Sequence, residues 1–327
     1  MPGYGYGISN EFIKPKGLGS AYLLDAYGDD IAVACSLRKL SSTYTGFVLR
    51  VWRAADGAVA DLSFDDERVS LDSSITAVTG GVTATNFGEF VADAGYPDPD
   101  GLGTPSDLGI QTWYDQSGNA KDITWAGNPV GVSWSNWSIY NSSTGLRVVD
   151  INGTDFPVLF EISRIGAVNS ITSPYPGGLD PRSIFGVSWS GAGSGAGTST
   201  MRWNTLRFDY MSWSSATLKF TLKNAKYGTT HTVESINTFA ANTVHLADYT
   251  YNEAPGTTTI HVNGNLEGTS TTFESQYQAP HGYNGIAIDM ESSGNQPDFL
   301  ENIVFLADKS ADASAIRDNI NSHYGIY

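Results

Sequence analysis

Three stretches of this chain carry residue types able to do chemistry. The first is acidic. Asp98, Asp100 and Asp107 lie in a Pro- and Gly-rich loop between Asp93 and Gly109, and Asp98-Pro99-Asp100-Gly101 has the D-x-D-G form of a calcium loop. The loop lacks the bidentate Glu that closes an EF-hand. The reading therefore stays open between calcium at Asp98, Asp100 and Asp107 and a solvated acidic loop. The second stretch is aromatic. Trp125, Trp134 and Trp137 stand among Ser and Asn. Indole faces stack on pyranose rings, which makes these three the expected ligand-binding residues of a glycan binder; core or subunit contact is the competing use. The third is Trp113-Tyr114-Asp115-Gln116-Ser117-Gly118-Asn119, where a carboxylate, a carboxamide and a hydroxyl crowd one turn.

The elements that must position these groups read mostly as strands. Ile110, Thr112 and Tyr114 alternate with Gln111 and Trp113, and the alternation resumes at Lys121 to Trp125, so the third stretch is a strand, a tight polar turn and a strand. On that pattern alone Asp115 caps the turn. Apolar spacing at Ile31, Ala34, Leu37 and Leu40 predicts a helix over 29–40. Strands are expected at Phe47–Arg53 and Val59–Phe64, and a short helix near 87–92. Beyond residue 183 the chain reads as successive strands at 183–189, 201–210, 217–222, 243–251, 285–289 and 299–307. Thr257 to Gly268 forms a hairpin around Asn263-Gly264, the strongest local signal present. Ile316 and Ile320 mark a closing helix over 312–324. Residues 1–20, rich in Gly, Pro and Tyr, precede these motifs. They form an expected N-terminal arm, with a single sandwich domain over 21–327.

The WYDQSGN segment resembles the YDQSGN segment of α-L-arabinofuranosidase B catalytic domains. It resembles more closely bacteriophage virion proteins with a concanavalin A/laminin G-like domain. Asp25-Ala26-Tyr27, Ser36-Leu37-Arg38-Lys39-Leu40, Tyr44-Thr45-Gly46 and Arg50-Val51-Trp52-Arg53 with Asp56 are similar to the upstream D-x-Y, S-x-R-x-L, Y-x-G and R-x-x-R-x-x-D motifs of that group. Thr259 to Gly264 resembles a laminin G hairpin. The resemblance implies an all-β, concanavalin A-like (jelly-roll) sandwich with a few short helices. It also implies a phage structural protein, in capsid decoration or a tail fibre, with virion proteins and cell-surface glycans as partners and homo-oligomers expected. The alternative is an arabinofuranosidase-like glycoside hydrolase. A retaining glycosidase needs two facing carboxylates. The resembled nucleophile strand corresponds to Phe185-Gly186-Val187-Ser188-Trp189-Ser190-Gly191, which holds none. The acid/base region corresponds to Ile288 to Asn295, where Asp289 or Glu291 would stand in. Catalysis is therefore not expected, and no cofactor is required beyond the calcium considered above.

Composition narrows the classes further. Over 327 residues the charge is −16, from 18 Lys plus Arg against 34 Asp plus Glu. Such a chain repels phosphates, which excludes nucleic-acid binding by charge neutralisation. Hydrophobic residues make up 40%, enough for a substantial core. Cys35 is the single cysteine, so no internal disulfide forms. The five histidines show no paired metal spacing, and no G-x-S-x-G, phosphate loop or dinucleotide fingerprint occurs. No apolar run reaches the roughly 20 residues that span a membrane. Met1 to Gly7 lacks the basic and apolar regions of a secretory signal, so synthesis in a host cytoplasm and a virion location are expected.

Overall fold

The structure, a computed structural model, describes residues 22–53, 56–70, 72–79, 81–92, 108–124, 137–138, 147–151, 154–158, 161–162, 183–190, 198–203, 209–213, 220–226, 229–240, 243–252, 256–271, 286–291 and 298–327. The elements run α1 (Leu23–Tyr27), β1 (Ile31–Ser36), β2 (Leu49–Arg53), β3 (Val59–Leu62), β4 (Ile75–Thr79), α2 (Phe87–Ala92), β5 (Leu108–Trp113) and β6 (Ile123–Thr124). Short pieces follow: β7 (Trp137–Ser138), β8 (Arg147–Ile151), β9 (Thr154–Val158) and β10 (Glu161–Ile162). The second half holds β11 (Ser183–Ser190), β12 (Thr198–Trp203), β13 (Asp209–Trp213), β14 (Phe220–Lys226), β15 (Thr229–Glu234) and β16 (Thr243–Asn252). It closes with β17 (Thr257–Val262), β18 (Asn265–Ser270), β19 (Ile286–Glu291), β20 (Asp298–Phe305) and α3 (Ala313–Tyr324).

The fold is all-β, as the strand patterns predict. A six-stranded antiparallel sheet has the order β1-β20-β11-β16-β17-β18, and a five-stranded one the order β15-β14-β13-β12-β19. A third sheet, β4-β3-β2-β5-β6, carries the motif half of the chain. The six-stranded sheet joins residues near both ends of the described chain: Cys35 pairs with Asn302, and Asn302 with Gly186. Its outer face is covered by α3, whose Ala313, Ile316, Ile320 and Tyr324 pack on Leu23, Ala34, Phe185, Val187, Leu246, Ile303 and Phe305. Alternation sends Ile260 and Val262 of β17 inward, both fully buried, while Thr259 and His261 face out half-buried.

The predicted helix over 29–40 is not there. Ile31–Ser36 is a strand, preceded by a turn in which Asp30 adopts φ 60°. The run is buried on both faces from Ala32 to Ser36, and a contiguous apolar stretch of that kind fits a helical step of three equally well. The helix at this end is the five-residue α1 instead. The expected strand over 201–210 is two strands, β12 and β13, paired with one another. Strand β4, at Ile75–Thr79, was not expected, although α2 and α3 form as the spacing predicts.

Candidate functional site

The WYDQSGN turn is built as a side-chain plug for the free edge of the six-stranded sheet. Strand β1 pairs with β20 on one side only. On the other side the amide of Ala34 donates to Asp115 Oδ1 at 2.8 Å, and Gln116 N donates to the Ala34 carbonyl at 2.7 Å. The Gln116 carboxamide donates to the carbonyls of Ser36 and Arg38, both at 3.0 Å, and accepts Leu40 N at 2.8 Å. Asn119 Nδ2 donates to the Ile31 carbonyl at 2.8 Å. Three side chains thus supply the hydrogen bonds that a neighbouring strand would give. Asp115 has no oxygen left for chemistry. Oδ1 also accepts Ser117 N, and Oδ2 accepts the Ser117 hydroxyl at 2.6 Å and Lys121 N at 3.0 Å. Gly118 takes φ 86°, which the turn requires of a residue without Cβ.

The other motif residues are spent in the same way. Arg38 forms a bidentate pair with Glu301, Nε to Oε2 at 2.6 Å and Nη2 to Oε1 at 2.9 Å, and the Ser36 hydroxyl donates to the same carboxylate at 2.8 Å. Tyr324 from α3 donates to Glu301 Oε2 at 3.2 Å. Burial works to lower the Arg38 pKa, but the Glu301 charge and hydrogen bonds more than offset it and raise the value. Burial, then Glu301, pushes the Tyr324 phenol well above its ordinary range. Arg50 clamps Asp61 at 2.7 and 2.8 Å, and Tyr114 donates to Asp61 at 2.7 Å. Arg53 clamps Asp56 at 3.0 and 2.6 Å and donates to the Phe90 carbonyl. Hydrogen bonding to Arg53 holds the Asp56 carboxyl down at about 2. Gly46 is small because a Cβ there would meet the Tyr44 hydroxyl at 2.6 Å. Asp25 accepts the Ser41 hydroxyl and Ser42 N.

The resembled nucleophile strand is β11, the centre of the six-stranded sheet. Phe185 and Val187 are buried under α3, and Ser188 is buried on the opposite face. Asp289 and Glu291 lie on β19 in the five-stranded sheet, opposite Thr200 and Thr198 of β12. Trp137 lies in β7, paired with Ile162. The remaining expected residues, Trp125 and Trp134 and the calcium candidates Asp98, Asp100 and Asp107, lie outside the described residues, as does the arm over 1–20. Among the described residues no group of three or more His, Cys, Asp or Glu side chains is arranged to hold a metal. No described helix is long and apolar enough to cross a membrane.

Three acidic groups escaped the sequence reading. Asp122 accepts Asp115 N at 2.9 Å, and burial, opposed by that bond and reinforced by the Asp115 charge, raises its pKa. Glu301 and Asp248 sit on strands under α3 with no exposure, each beside an arginine. Asp248 Oδ2 takes Arg317 Nη1 at 3.0 Å and lies 3.5 Å from His261 Nδ1. Asp248 Oδ1 and His261 Nδ1 are buried without a hydrogen-bond partner. No local pattern announces Glu301 and Asp248, since their arginine partners lie far along the chain.

No protein-family model and no curated protein matches the sequence. Solved structures do match. A GH54 α-L-arabinofuranosidase soaked with a cyclic sulfate inhibitor superposes with TM-score 0.55 at 14% identity, covering 94% of this chain and 66% of that one. A mutant GH54 enzyme soaked with 4-nitrophenyl α-L-arabinofuranoside gives TM-score 0.51, also at 14% identity and with the same coverage. The likeness is one of fold. This chain spans just under two thirds of those enzymes' length. A Ruminococcus gnavus IT-sialidase CBM40 bound to α2,3-sialyllactose matches at TM-score 0.35 and 11% identity over 43% of this chain and 83% of that one, too weak to carry an argument.

Proposed function

We propose that this chain is a non-catalytic, glycan-contacting β-sandwich that serves as a structural component of a bacteriophage particle. One observation carries the non-catalytic part. The resembled motifs supply three carboxylates, and the frame consumes each: Asp115 is taken by backbone amides, Asp56 by Arg53, and Asp25 by Ser41 and Ser42. The strand matching the nucleophile's place offers Phe185, Val187 and Ser188 instead of an acid. A double displacement needs two facing carboxylates, and this strand does not provide the nucleophile. The sandwich survives as a scaffold, and scaffolds of this kind host many functions. The particle role rests on the sequence likeness to phage virion proteins. The arm over residues 1–20 is then the segment that ties the sandwich to its neighbours, with other copies or other virion proteins as partners.

Mass spectrometry of purified particles tests the role: the chain is expected at stoichiometric levels, and its absence overturns the particle reading. Deleting residues 1–18 is expected to leave the thermal melt unchanged while reducing incorporation. The second reading is an arabinofuranosidase-like hydrolase, favoured by the 94% coverage of this chain by the GH54 fold. Hydrolysis of 4-nitrophenyl α-L-arabinofuranoside that disappears in Asp289→Asn or Glu291→Gln establishes it and refutes ours.

A further inference from the structure

We propose that the inner face of the six-stranded sheet holds a slot over Gly186, and that this slot takes the hydroxyl-bearing edge of an uncharged sugar residue against the Asn302 carboxamide. This deepens the glycan half of the function above and rests on it. Gly186 stands inside β11, the third strand in the order of that sheet. Glycine weakens a strand interior, so its presence there asks for a reason. Two ordinary reasons fail. Its φ is not positive, so the backbone suits any residue. Nor is the space filled: a Cβ would meet only the Ala247 and Glu301 carbonyl oxygens, both at 3.9 Å, which is ordinary contact. Gly268 on β18 is the contrast, because a Cβ there would stand 2.9 Å from both Ile260 and Val233. The reason left is room for a group that comes from outside the strand. Gly186 keeps partial exposure, while Ile184, Phe185, Val187 and Ser188 around it are buried.

The slot has a polar wall. Phe185 and Val187 face α3, so Gly186 and Ser188 face the other way. Register sets Asn302 of β20 and Ala247 of β16 directly beside Gly186, with their side chains on that same face. Asn302 is 1% exposed, and neither its Nδ2 nor its Oδ1 has a hydrogen-bond partner. A buried carboxamide left so costs stability, and in a native fold it calls for a use. Its neighbours across the sheet offer none: Gly186 and Ala247 carry no polar side chain, and the Cys35 thiol donates to the Trp113 carbonyl at 3.8 Å. Asp248 and His261 lie on the opposite face under α3, whereas Asn302 borders a residue that solvent reaches. The terminal torsion of Asn is soft, so the carboxamide turns toward Gly186 at little cost. A sugar hydroxyl both donates and accepts, which matches one carbonyl oxygen beside one amide nitrogen. Ile184 and Ala247 give the slot apolar sides for the carbon-bound part of the ring. The charge of −16 disfavours an acidic sugar.

Saturation-transfer NMR and calorimetry on the full chain, with D-galactose, L-arabinose, lactose and 3′-sialyllactose as probes, test this. A neutral sugar is expected to bind, with sialyllactose no tighter than lactose. Gly186→Val fills the slot, places its Cβ without a clash and adds a residue that strands favour. Its melting temperature should hold or rise while binding falls at least about tenfold. Asn302→Leu replaces an unpaired carboxamide with an apolar side chain of similar size. Its melting temperature should also hold or rise, and binding should fall about tenfold. Should Gly186→Val fail to fold, Gly186→Ala keeps the test, since its Cβ lies 3.9 Å from the nearest neighbours. Failure of all four sugars to bind the wild-type chain overturns both the slot and the glycan reading. Binding that is undiminished in the Gly186 variant and in Asn302→Leu overturns the slot alone. A melting temperature lowered in both variants assigns the pair to packing and overturns the slot as well. Tighter binding of sialyllactose than of lactose overturns the preference for an uncharged sugar.

Discussion

Two corners of the six-stranded sheet use polar residues in opposite ways. At the β1 edge, Ser36, Arg38, Asp115, Gln116 and Glu301 are buried and mutually satisfied, so the corner has one arrangement. At the β17–β18 end, His261 and Tyr327 reach solvent and Asp248 keeps an oxygen without a partner. The first corner carries the residues by which the chain resembles a glycosidase. The second carries none of them. Similarity in the motifs therefore reports the frame.

The largest effect expected is at the first corner. Arg38→Ala leaves Glu301 fully buried with only two hydroxyl donors, Ser36 and Tyr324. Breaking one half of a buried ion pair costs about 3–5 kcal/mol, which urea unfolding measures. Tyr327→Ala at the second corner should cost less than about 1 kcal/mol. If the two variants lose similar stability, the contrast between frame and surface collapses. Asp115→Ala comes next. It strips acceptors from Ala34 N, Ser117 N and Lys121 N, for about 2–3 kcal/mol. It also uncovers part of the β1 edge, so light scattering should show association that the wild-type chain does not.

A pH titration sharpens the comparison because α3 bridges both corners. Burial first, then Arg38 and Arg68, drives the His323 pKa down to about 3. Burial also lowers His245, against its bonds to Ala240 and Asn263. In the unfolded chain a histidine takes up its proton near pH 6.5; in the fold His323 refuses it until about pH 3. The unfolded state thus binds more protons in between, and stability falls as pH drops through that window. Between pH 7 and pH 5 the loss is about 2 kcal/mol. Asp56, held at about 2, keeps its charge over this window and adds nothing to the slope. His323→Gln should flatten the profile; an unchanged profile would mean the imidazole is protonated in the fold after all.

Much of the frame was legible because its signals are local. The Asn263-Gly264 turn, the Ile316 and Ile320 spacing and the alternation around Trp113 all became the elements expected. The failure at 29–40 has a physical cause. A strand buried on both faces has no polar alternation to betray it, and steps of three among apolar residues then mimic a helix. The site was less legible. Asp115 was read as a turn cap, and the turn does hold it; that the same carboxylate seals an edge 81 residues away depends on pairing that no short pattern encodes. Glu301 and Asp248 were invisible for the same reason, their partners being 263 and 69 residues distant.

The smallest effect expected tests whether the second corner is free surface. Ile236 is 74% exposed and Leu266, on the strand whose Glu267 carbonyl accepts Ile236 N at 2.9 Å, is 56% exposed. The hydrogen bond belongs to the backbone, so Ile236→Ser keeps it. Little apolar area is returned to water by the change, because most of the side chain is already there. At about 25 cal/mol per Å² of apolar surface, so small a change should move stability by less than about 0.5 kcal/mol. Urea unfolding at two protein concentrations reads the result. A larger loss that grows with concentration would show Ile236 buried against a second copy, marking this corner as a subunit interface. A larger loss independent of concentration would show the side chain packed within the chain itself.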